Sequence, residues 1–571
     1  MVERCSSLTI AFILVLLFPF TIQAQSFNSG LRKYKQRNYE QAALAFSKVD
    51  SPEAKLFAAK SYYALGRFKE AANILNELLP KAVPDIYYEA AYTSALIDFQ
   101  QKKYADALTK LYIVNHETEL NSLADDAKVF YRQLLEYLTA KQRVKALQNV
   151  GVDQIKYDLL KTALGKVSFS ALKEIIEQFN KSVDEKKWRQ KGQDIESSLT
   201  NEPAYKIKYG EDYGSFSPPT GTVYNIGIVL PKPDTDKPTF AVVKGLYLGA
   251  RLAANQFNNN HSNVKAYLTF LPTDGNDLDD IVSSFMQEKQ GDFIIGPLFS
   301  EQAEQMVSIS DEYQLPIIAP LATSDIKSGA SLFYQANSSF SMQGKVMAHY
   351  AVDELGLNNF AIIAGENRNG KKSAQAFRET VEALGAKVVS FQIEDFEESN
   401  YDISAYIKKM ESELEKADAI YAPFTDNYTE HLVEQLTNTI NTFEKPLTLL
   451  GSPKWEDINF STDIYSRSDI FYPVNSFRHG NLNRFHQRYQ RNFRIRANKF
   501  SLIGYDISHY LLNLIDQIGN PALLNKTIAK TTIYRGLIKN IYFNDSHENN
   551  AVQILKINAN GHPVLQKWHL K

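Results

Sequence analysis

The chain has 571 residues, 44% of them hydrophobic, which is enough material for more than one buried core. Its 63 Lys and Arg against 65 Asp and Glu leave a formal net charge of -2, which argues against nucleic acid or a membrane surface as a partner of the whole chain. Cys5 is the only cysteine. Disulfides, zinc thiolate sites and thiol catalysis are therefore excluded from a chain processed after residue 24.

The first 24 residues have the pattern of a secretory signal peptide. Arg4 precedes an apolar run from Ile10 to Phe20, and the small residue Ala24 follows at a suitable cleavage point. Cys5 lies before the apolar run, whereas a bacterial lipoprotein signal has its cysteine at the cleavage point. We therefore expect a periplasmic protein without a lipid anchor and without a transmembrane helix in the mature chain. An uncleaved N-terminal anchor is the alternative.

Residues 25–198 show a helical pattern that repeats. Three segments, YKQRNYEQAALAF, YYALGRFKEAANIL and FQQKKYADALTKL, each place an aromatic residue three positions before an alanine. The pairs are Tyr39 with Ala42, Phe68 with Ala71, and Tyr104 with Ala107. This spacing puts both side chains on one helix face, where the alanine lets a neighbouring helix approach closely. The segments resemble tetratricopeptide repeats, and Gly66 matches their turn glycine; the resemblance implies a solenoid that binds proteins along its concave face.

Residues 199–222 follow and are predicted to be a linker, because residues 207–222 are rich in Gly, Pro, Ser and Tyr. Beyond it, short β-rich runs such as YNIGIVLP and DFIIGPL alternate with amphipathic helical segments. This alternation predicts a parallel sheet with helices on both faces and a ligand crevice at the carboxyl ends of the strands. A second α/β unit is predicted from about Gln343, and the first is predicted to resume near Phe471. Two such lobes indicate a cleft protein that closes on its ligand.

Residues 223–571 resemble the type I periplasmic-binding-protein fold, in particular the leucine/isoleucine/valine-binding group. The matching runs follow the family order and include IGIVLP at 226–231, GLYLGARLAANQ at 245–256, IIGPLFS at 294–300, PIIAPLATSD at 316–325 and FSLIGYDISHYLL at 500–512. The resemblance implies a two-lobed α/β fold with parallel sheets behind the helical domain. The expected order is a signal peptide (1–24), a tetratricopeptide-like domain (25–198), a linker (199–222) and a binding-fold domain (223–571).

The same resemblance implies ligand-binding residues in the cleft between the lobes. In amino-acid binders of this group, the serine after Gly-Pro and the Ala/Thr segment of the next βα loop hold the carboxylate and ammonium groups of the ligand. Carried to this chain, they are Ser300, Thr323 and Ser324, with Ser300 at a helix N-terminus, which is a natural anion site. The candidates in the second lobe are Tyr421, Asp426, Ser452 and Trp455. The competing interpretation is structural, since the hydroxyls can cap helices or turns without a ligand and the tryptophan can pack in the core.

Two features differ from the amino-acid binders. Leu321 stands where they have a small residue, and its bulk would crowd the cleft. The loop GENRNGKKS, 365–373, replaces their tyrosine-glycine loop and carries Arg368 and Lys371 in place of an aromatic. This loop is also close to a phosphate-binding P-loop, but Lys372 stands where Ser or Thr must hold magnesium. A solvated basic loop is the preferred interpretation.

The remaining motifs give no sign of an enzyme. The chain has no H-E-x-x-H, no G-x-S-x-G and no glycine-rich dinucleotide fingerprint, so we expect no catalysis, no cofactor and no metal site. A repeat solenoid fused to a type I binding fold resembles the outer-membrane activators of penicillin-binding proteins, although those are lipoproteins. This resemblance implies a non-catalytic periplasmic scaffold that regulates peptidoglycan synthesis through a protein partner such as a peptidoglycan synthase. The alternative is a solute-binding protein for amino acids or short peptides, of the type that serves ABC transporters.

Overall fold

The structure is a computed structural model, and it describes residues 25–199, 201–209, 216–323, 325, 332–398, 400–478 and 480–566. The predicted signal peptide lies outside the described residues, and so does Ser324 among the predicted site residues. Within the described ranges, no helix is both long enough and apolar enough to cross a membrane.

The N-terminal part of the molecule is entirely helical in its regular structure, and most of its helices pack against the next helix in sequence. Residues 25–35 form α1. The following helices are α2 (Tyr39–Phe46), α3 (Pro52–Ala64), α4 (Phe68–Leu78), α5 (Pro84–Gln100), α6 (Tyr104–Glu117), α7 (Asn121–Tyr137), α8 (Ala140–Asn149), α9 (Asp153–Lys161), α10 (Phe169–Ser182) and α11 (Lys186–Ser197). This arrangement confirms the predicted helical solenoid.

The predicted aromatic and alanine pairs mark the starts of α2, α4 and α6. The three alanines are fully buried: Ala42, Ala71 and Ala107. Two residues before each aromatic, the backbone takes the left-handed conformation, with φ of 61° at Arg37, 72° at Gly66 and 58° at Lys102. This conformation costs a residue with a side chain roughly 1 to 2 kcal/mol. The packing of the helices therefore imposes the turn. Only one of the three repeats has glycine at the turn position, so a sequence pattern that requires glycine there finds only that repeat.

The segment predicted to be a linker contains regular structure. Residues Glu202–Tyr209 form α12, and Tyr205 is buried among the apolar side chains of the solenoid. The Tyr205 hydroxyl donates to the Val167 carbonyl at 2.9 Å and accepts from the Gly165 amide at 2.9 Å. Phe216 is buried in the same cluster. The first part of the segment thus packs with the solenoid, ahead of most of the Gly- and Pro-rich residues on which the linker prediction rests.

The first lobe is built on a five-stranded parallel sheet with the order β2-β1-β3-β4-β5. Its strands are β1 (Thr222–Leu230), β2 (Val264–Pro272), β3 (Phe293–Ile295), β4 (Ile317–Ala319) and β5 (Phe333–Gln335). Its helices are α13 (Phe240–Asn260), α14 (Leu278–Lys289), α15 (Ser300–Glu312) and, from later in the chain, α22 (Asn483–Phe493), α23 (Lys499–Ile518) and α24 (Leu524–Ile528). β1 is buried over almost its whole length, as a central parallel strand requires.

The second lobe has a seven-stranded sheet with the order β14-β13-β10-β9-β8-β6-β7, in which β13 and β14 run antiparallel to their neighbours. Its strands are β6 (Asn359–Gly365), β7 (Lys387–Glu394), β8 (Ala419–Tyr421), β9 (Thr448–Leu450), β10 (Ile470–Val474), β13 (Gln553–Ile557) and β14 (Pro563–Leu565). Its helices are α16 (Phe340–His349), α17 (Arg368–Ala383), α18 (Ser404–Lys409), α19 (Glu411–Leu414), α20 (Thr429–Ile440) and α21 (Thr462–Tyr465). The two-lobed α/β architecture is thus confirmed.

The chain passes between the lobes after β5, after β10 and after a short ribbon of β11 (Tyr534–Arg535) and β12 (Asn540–Ile541). One boundary differs from its prediction. Phe471 lies opposite Leu450 of β9 in the second sheet, so the first lobe resumes at α22 and not near Phe471. The apolar run FYPV suits a buried strand of either sheet, and only its pairing with β9 and β13 assigns it to the second.

Candidate functional site

The crevice lies at the carboxyl ends of the parallel strands, where the βα loops of the two lobes face each other. In the first lobe, β3 leads into Gly296, whose φ is 132°. A β-carbon at Gly296 would lie 2.1 Å from the Val229 carbonyl oxygen, so only glycine fits this close approach. The turn that follows places Ser300 as the first residue of α15.

The structure brings two of the predicted first-lobe residues together. The Thr323 amide donates to the Ser300 hydroxyl oxygen at 3.3 Å, and both residues are half-buried. Leu321, two residues earlier, packs against the core of the first lobe, and its carbonyl accepts from the Asn337 side chain at 3.0 Å. The loop that follows β4 is therefore tied both to α15 and to the chain crossing after β5.

In the second lobe, Asp426 forms part of a polar cluster at the start of α17. Asn367 caps this helix by accepting from the Gly370 amide at 2.9 Å, and its amide group donates to the Asp426 carboxylate at 3.0 Å. Thr425 donates to the Asn367 side-chain oxygen at 2.9 Å. Burial raises the pKa of Asp426 above its usual range, although the hydrogen bond from Asn367 opposes the shift. Because its own side chains fill this helix N-terminus, the loop at 365–373 does not form a phosphate cradle.

The other three second-lobe candidates lie in the interior of that lobe. Tyr421 is fully buried, stacks on Phe377 with ring centroids 4.1 Å apart, and shares a 2.7 Å hydrogen bond with the Ser373 hydroxyl. Ser452 is buried and donates to the Phe424 carbonyl, while its oxygen caps the 3-10 helix Pro453–Asp457. Trp455 is fully buried in the apolar core. In this structure the three side chains are packed inside the second lobe, which agrees with the competing structural interpretation of these residues.

Charged side chains join the two lobes across the crevice. Lys372 at the start of α17 pairs with Asp325, in the loop that carries Thr323. Burial favours the protonated form of Asp325, but hydrogen bonds from Lys372 and Ser341 outweigh it, and its pKa is lowered. A second pair, Arg368 with Glu304 at 3.8 Å, is well exposed and contributes little stability. The basic loop is thus partly engaged with the first lobe and not simply solvated.

A buried lysine ties together the chain crossings between the lobes. Lys539 is 0% exposed, and its ammonium group donates to the Asn337 side-chain oxygen at 2.6 Å and to the Asn475 carbonyl at 3.2 Å. Burial lowers the pKa of Lys539 to about 7. The segment that holds it is fixed by Asp506, which accepts from the backbone amides of residues 537–539 at 2.8 to 3.0 Å. Burial raises the pKa of Asp506 to about 6. The crossings after β5 and after β10 therefore meet at one polar cluster with the turn of the β11–β12 ribbon.

The solenoid is docked onto the first lobe through buried polar contacts. The Lys102 ammonium lies 2.7 Å from the Asp292 carboxylate and donates to the Gly291 carbonyl at 3.1 Å. Gln100 donates to the Gly221 carbonyl at 2.7 Å and accepts from the Val223 amide at 3.3 Å, which joins α5 to the start of β1. These contacts hold the helical domain against the amino-terminal ends of β1 and β3.

The same junction contains an open cavity of about 650 Å³ between α6, α7, α8 and the first lobe. Tyr104, Tyr137 and Gln142 line it from the solenoid, and Tyr313 and Asn520 line it from the lobe. The Asn520 amide donates to the Tyr137 carbonyl and to the Gln142 side chain, each at 2.9 Å. The junction therefore combines direct contacts with a second concave region, distinct from the crevice between the lobes.

Sequence reasoning missed the residues that join the parts of the molecule. No local pattern singles out Lys539 or Asp292, because each acts through a partner far away in sequence. Lys102 offered a weak signal, since it occupies the turn position that is glycine in the second repeat. Asp325 is the last residue of the run PIIAPLATSD, but its pairing with Lys372 depends on how the lobes meet.

Family models match two parts of the chain. The model described as "Periplasmic binding protein" matches residues 241–562, and the tetratricopeptide repeat model matches residues 33–95. These matches confirm the predicted combination of a repeat domain and a type I binding fold. Both families are binding modules. No curated protein sequence matches the chain significantly.

Several solved structures are similar in fold. A putative branched-chain amino acid ABC transporter from Rhodospirillum rubrum is 17% identical, covers 60% of this chain and 100% of its own, and has a TM-score of 0.48. An ABC transporter substrate-binding protein from Desulfitobacterium hafniense in complex with Leu is 16% identical, with coverages of 60% and 100% and a TM-score of 0.45. Full-length LpoA from Haemophilus influenzae is 14% identical over 95% of this chain and 94% of its own, with a TM-score of 0.43.

Proposed function

Because the chain belongs to the periplasmic binding protein family, we propose that it is a non-catalytic extracytoplasmic binding protein that acts as a scaffold for cell-envelope assembly. In this proposal it regulates peptidoglycan synthesis, as the sequence resemblance to activators of penicillin-binding proteins implies. The solenoid and the outer faces of the lobes are the surfaces that meet a protein partner, and a peptidoglycan synthase is the partner we expect.

The observation that carries the proposal is the docking of the solenoid on the first lobe. A solute receptor needs only its two lobes, whereas here a helical domain of about the size of one lobe is fixed to them through Lys102 and Gln100. The Asp292 side chain in this contact is only 3% exposed. An unpaired buried carboxylate is strongly destabilising, so this pair favours the docked geometry of the two parts.

The crevice favours the scaffold over a standard amino-acid site. The loop that would bind the carboxylate of an amino acid through Thr323 also carries Asp325, whose lowered pKa keeps it negative. Its negative charge opposes an incoming carboxylate, and its pairing with Lys372 already holds the lobes together. Leu321 is partly buried and packs against the first-lobe core.

The second candidate function is a solute-binding protein for amino acids or short peptides. It is favoured by the hydrogen bond between the Thr323 amide and the Ser300 hydroxyl, which assembles the predicted first-lobe site at the start of α15. Asp426 would then offer a carboxylate to the ammonium group of the ligand from the second lobe. In this alternative, Ser300, Thr323 and Asp426 are the residues that we propose contact the ligand.

Two binding measurements on the full chain distinguish the functions. Surface plasmon resonance with purified peptidoglycan synthases of the source organism tests the scaffold, and we expect saturable binding that is insensitive to Ser300→Ala. A thermal-unfolding screen with amino acids, short peptides and muropeptides tests the receptor, since a ligand at 100 times its Kd adds about 2.7 kcal/mol of stability. A shift that Ser300→Ala abolishes, together with no synthase binding, would overturn the scaffold proposal.

A further inference from the structure

The outside of the first lobe carries a dense group of arginines. Residues 470–505 contain six arginines and one lysine but no aspartate or glutamate, in a chain whose formal net charge is -2. Six of the 18 arginines of the chain lie between positions 478 and 496. The net charge of the whole chain does not reveal this group of arginines, because the acidic residues that offset it lie in other parts of the sequence.

Helix α22 separates its apolar and basic residues onto opposite faces. Phe485 and Tyr489 are buried in the first-lobe core, whereas Arg484, Arg488 and Arg491 are exposed. Positions i, i+4 and i+7 lie along one stripe of an α-helix, so the three guanidinium groups follow one line over about 10 Å. The apolar face explains the helix, but it does not explain why every charged residue on the outer face is arginine.

The stripe continues beyond the helix and onto its neighbour α13. Arg494 and Arg496 follow α22 and are exposed. Arg251 of α13 is exposed, and its guanidinium carbon lies 5.7 Å from the ring centroid of Phe493. Arg488 contacts α13 through the Gln256 side chain at 3.3 Å. We call Arg251, Arg484, Arg488, Arg491, Arg494 and Arg496 the arginine surface.

The arginine surface has no internal charge compensation. Within the described part of the chain, none of its six guanidinium groups forms an ion pair with a carboxylate, although the nearby Lys499 pairs with Glu456 at 3.0 Å. Helix α13 contributes no acidic residue. At physiological ionic strength a charge is screened over about 8 Å, so distant acidic residues do not neutralise a local field of this kind.

We propose that the arginine surface binds the anionic headgroups of a phospholipid membrane. Guanidinium groups bind phosphate oxygens in a bidentate geometry, and a basic surface is attracted to anionic lipid with a strength that grows with each added charge. Protein partners are usually held by aromatic anchors, together with arginine, at the centre of the interface. The arginine surface exposes no large apolar side chain among the residues described, so charge alone has to supply the affinity.

Flotation of the full chain with lipid vesicles tests this proposal. The vesicles are phosphatidylcholine alone, or phosphatidylcholine mixed with phosphatidylglycerol, and we expect binding only to the mixture and less of it as salt is added. The triple variant Arg484→Gln, Arg488→Gln, Arg491→Gln should bind on the order of 100-fold more weakly, since each cation contributes roughly a factor of five. The matched control, Lys408→Gln, Lys409→Gln, Lys416→Gln, removes the same charge from exposed positions of the second lobe and should bind like the parent chain.

Three results would overturn the proposal. The first is no binding of the parent chain to phosphatidylglycerol vesicles at low salt. The second is an equal loss of binding in the lysine control, which would show that binding depends on the net charge of the chain and not on the arginine surface. The third is release from the vesicles by soluble polyglutamate at a lower concentration of carboxylate than of lipid phosphate, which would point to an acidic protein partner. Equal melting temperatures of the parent chain and both triple variants establish that all three proteins are folded.

Discussion

Replacing Lys102 with methionine should loosen the solenoid from the first lobe. The Lys102 ammonium lies 2.7 Å from the Asp292 carboxylate, which also accepts from the Asn225 backbone amide at 2.8 Å. Methionine keeps a similar length and apolar stem but removes the positive charge and its hydrogen bonds. Asp292, whose side chain is 3% exposed, would then lose its counter-charge while remaining buried.

The size of the effect follows from the burial of the two partners. Removing one member of a buried ion pair costs about 3–5 kcal/mol, because the other charge stays buried. The Lys102 side chain is 36% exposed, so water screens part of the interaction, and the Asn225 amide still satisfies one carboxylate oxygen. We therefore expect Lys102→Met to lower the free energy of unfolding by about 1–3 kcal/mol. With Asp292→Asn the coupling energy should be about 1 kcal/mol or more.

Urea unfolding of the full chain measures these quantities, with Trp455 and Trp568 replaced by phenylalanine in every variant so that the fluorescence signal comes from Trp188 in the solenoid. Lys102→Met should shift the solenoid transition to lower urea, and the double variant with Asp292→Asn should recover part of the loss. Lys103→Met is the matched control, because Lys103 is exposed and adjacent in sequence. An equal loss in Lys103→Met, or a coupling energy near zero, would refute the reasoning.

Three further predictions concern single positions and are checked by thermal or urea unfolding. Gly296→Ala should destabilise the chain by about 2–4 kcal/mol, because the new β-carbon meets the Val229 carbonyl oxygen at 2.1 Å and φ is 132°. Arg143→Lys should cost about 2–4 kcal/mol, because the fully buried guanidinium donates to backbone carbonyls of α7 and α9 that lysine cannot all reach, and the exposed Arg132→Lys should be nearly neutral. Lys539 has a folded-state pKa of about 7, below its ordinary value of 10.5, so the unfolded chain binds more protons between these values and stability should rise with pH there. Lys539→Met should lack this rise; an unchanged pH profile would contradict the assignment.

Repeating local patterns predicted the elements of this fold well. The alanines of the aromatic and alanine pairs are buried as the helical spacing requires, and the alternation of apolar runs and amphipathic helices gave both lobes. The pairing of Ser300 with Thr323 was also within reach, because both follow parallel strands whose carboxyl ends meet at one edge of the sheet.

What sequence could not supply depends on partners that are distant along the chain. The composition of the strand at Phe471 suits either sheet. Its pairing with Leu450 of β9 assigns it to the second sheet. Trp455 and Tyr421 stand in loops or at strand ends that face a crevice in many binding folds, yet here their side chains turn inward to fill the core. The arginine surface was hidden for another reason, since a net charge of -2 averages over parts of the molecule that the solvent screens from one another.

The most direct test of the scaffold is the rate of glycan polymerisation and cross-linking by a purified peptidoglycan synthase of the source organism, with and without the full chain. We expect the rate to rise and to saturate as the protein is added, to remain raised with Ser300→Ala, and to fall with Lys102→Met, in which the solenoid is loosened. An unchanged synthase rate, together with a saturable heat of binding for an amino acid or peptide that Ser300→Ala removes, would contradict the scaffold and establish a solute receptor.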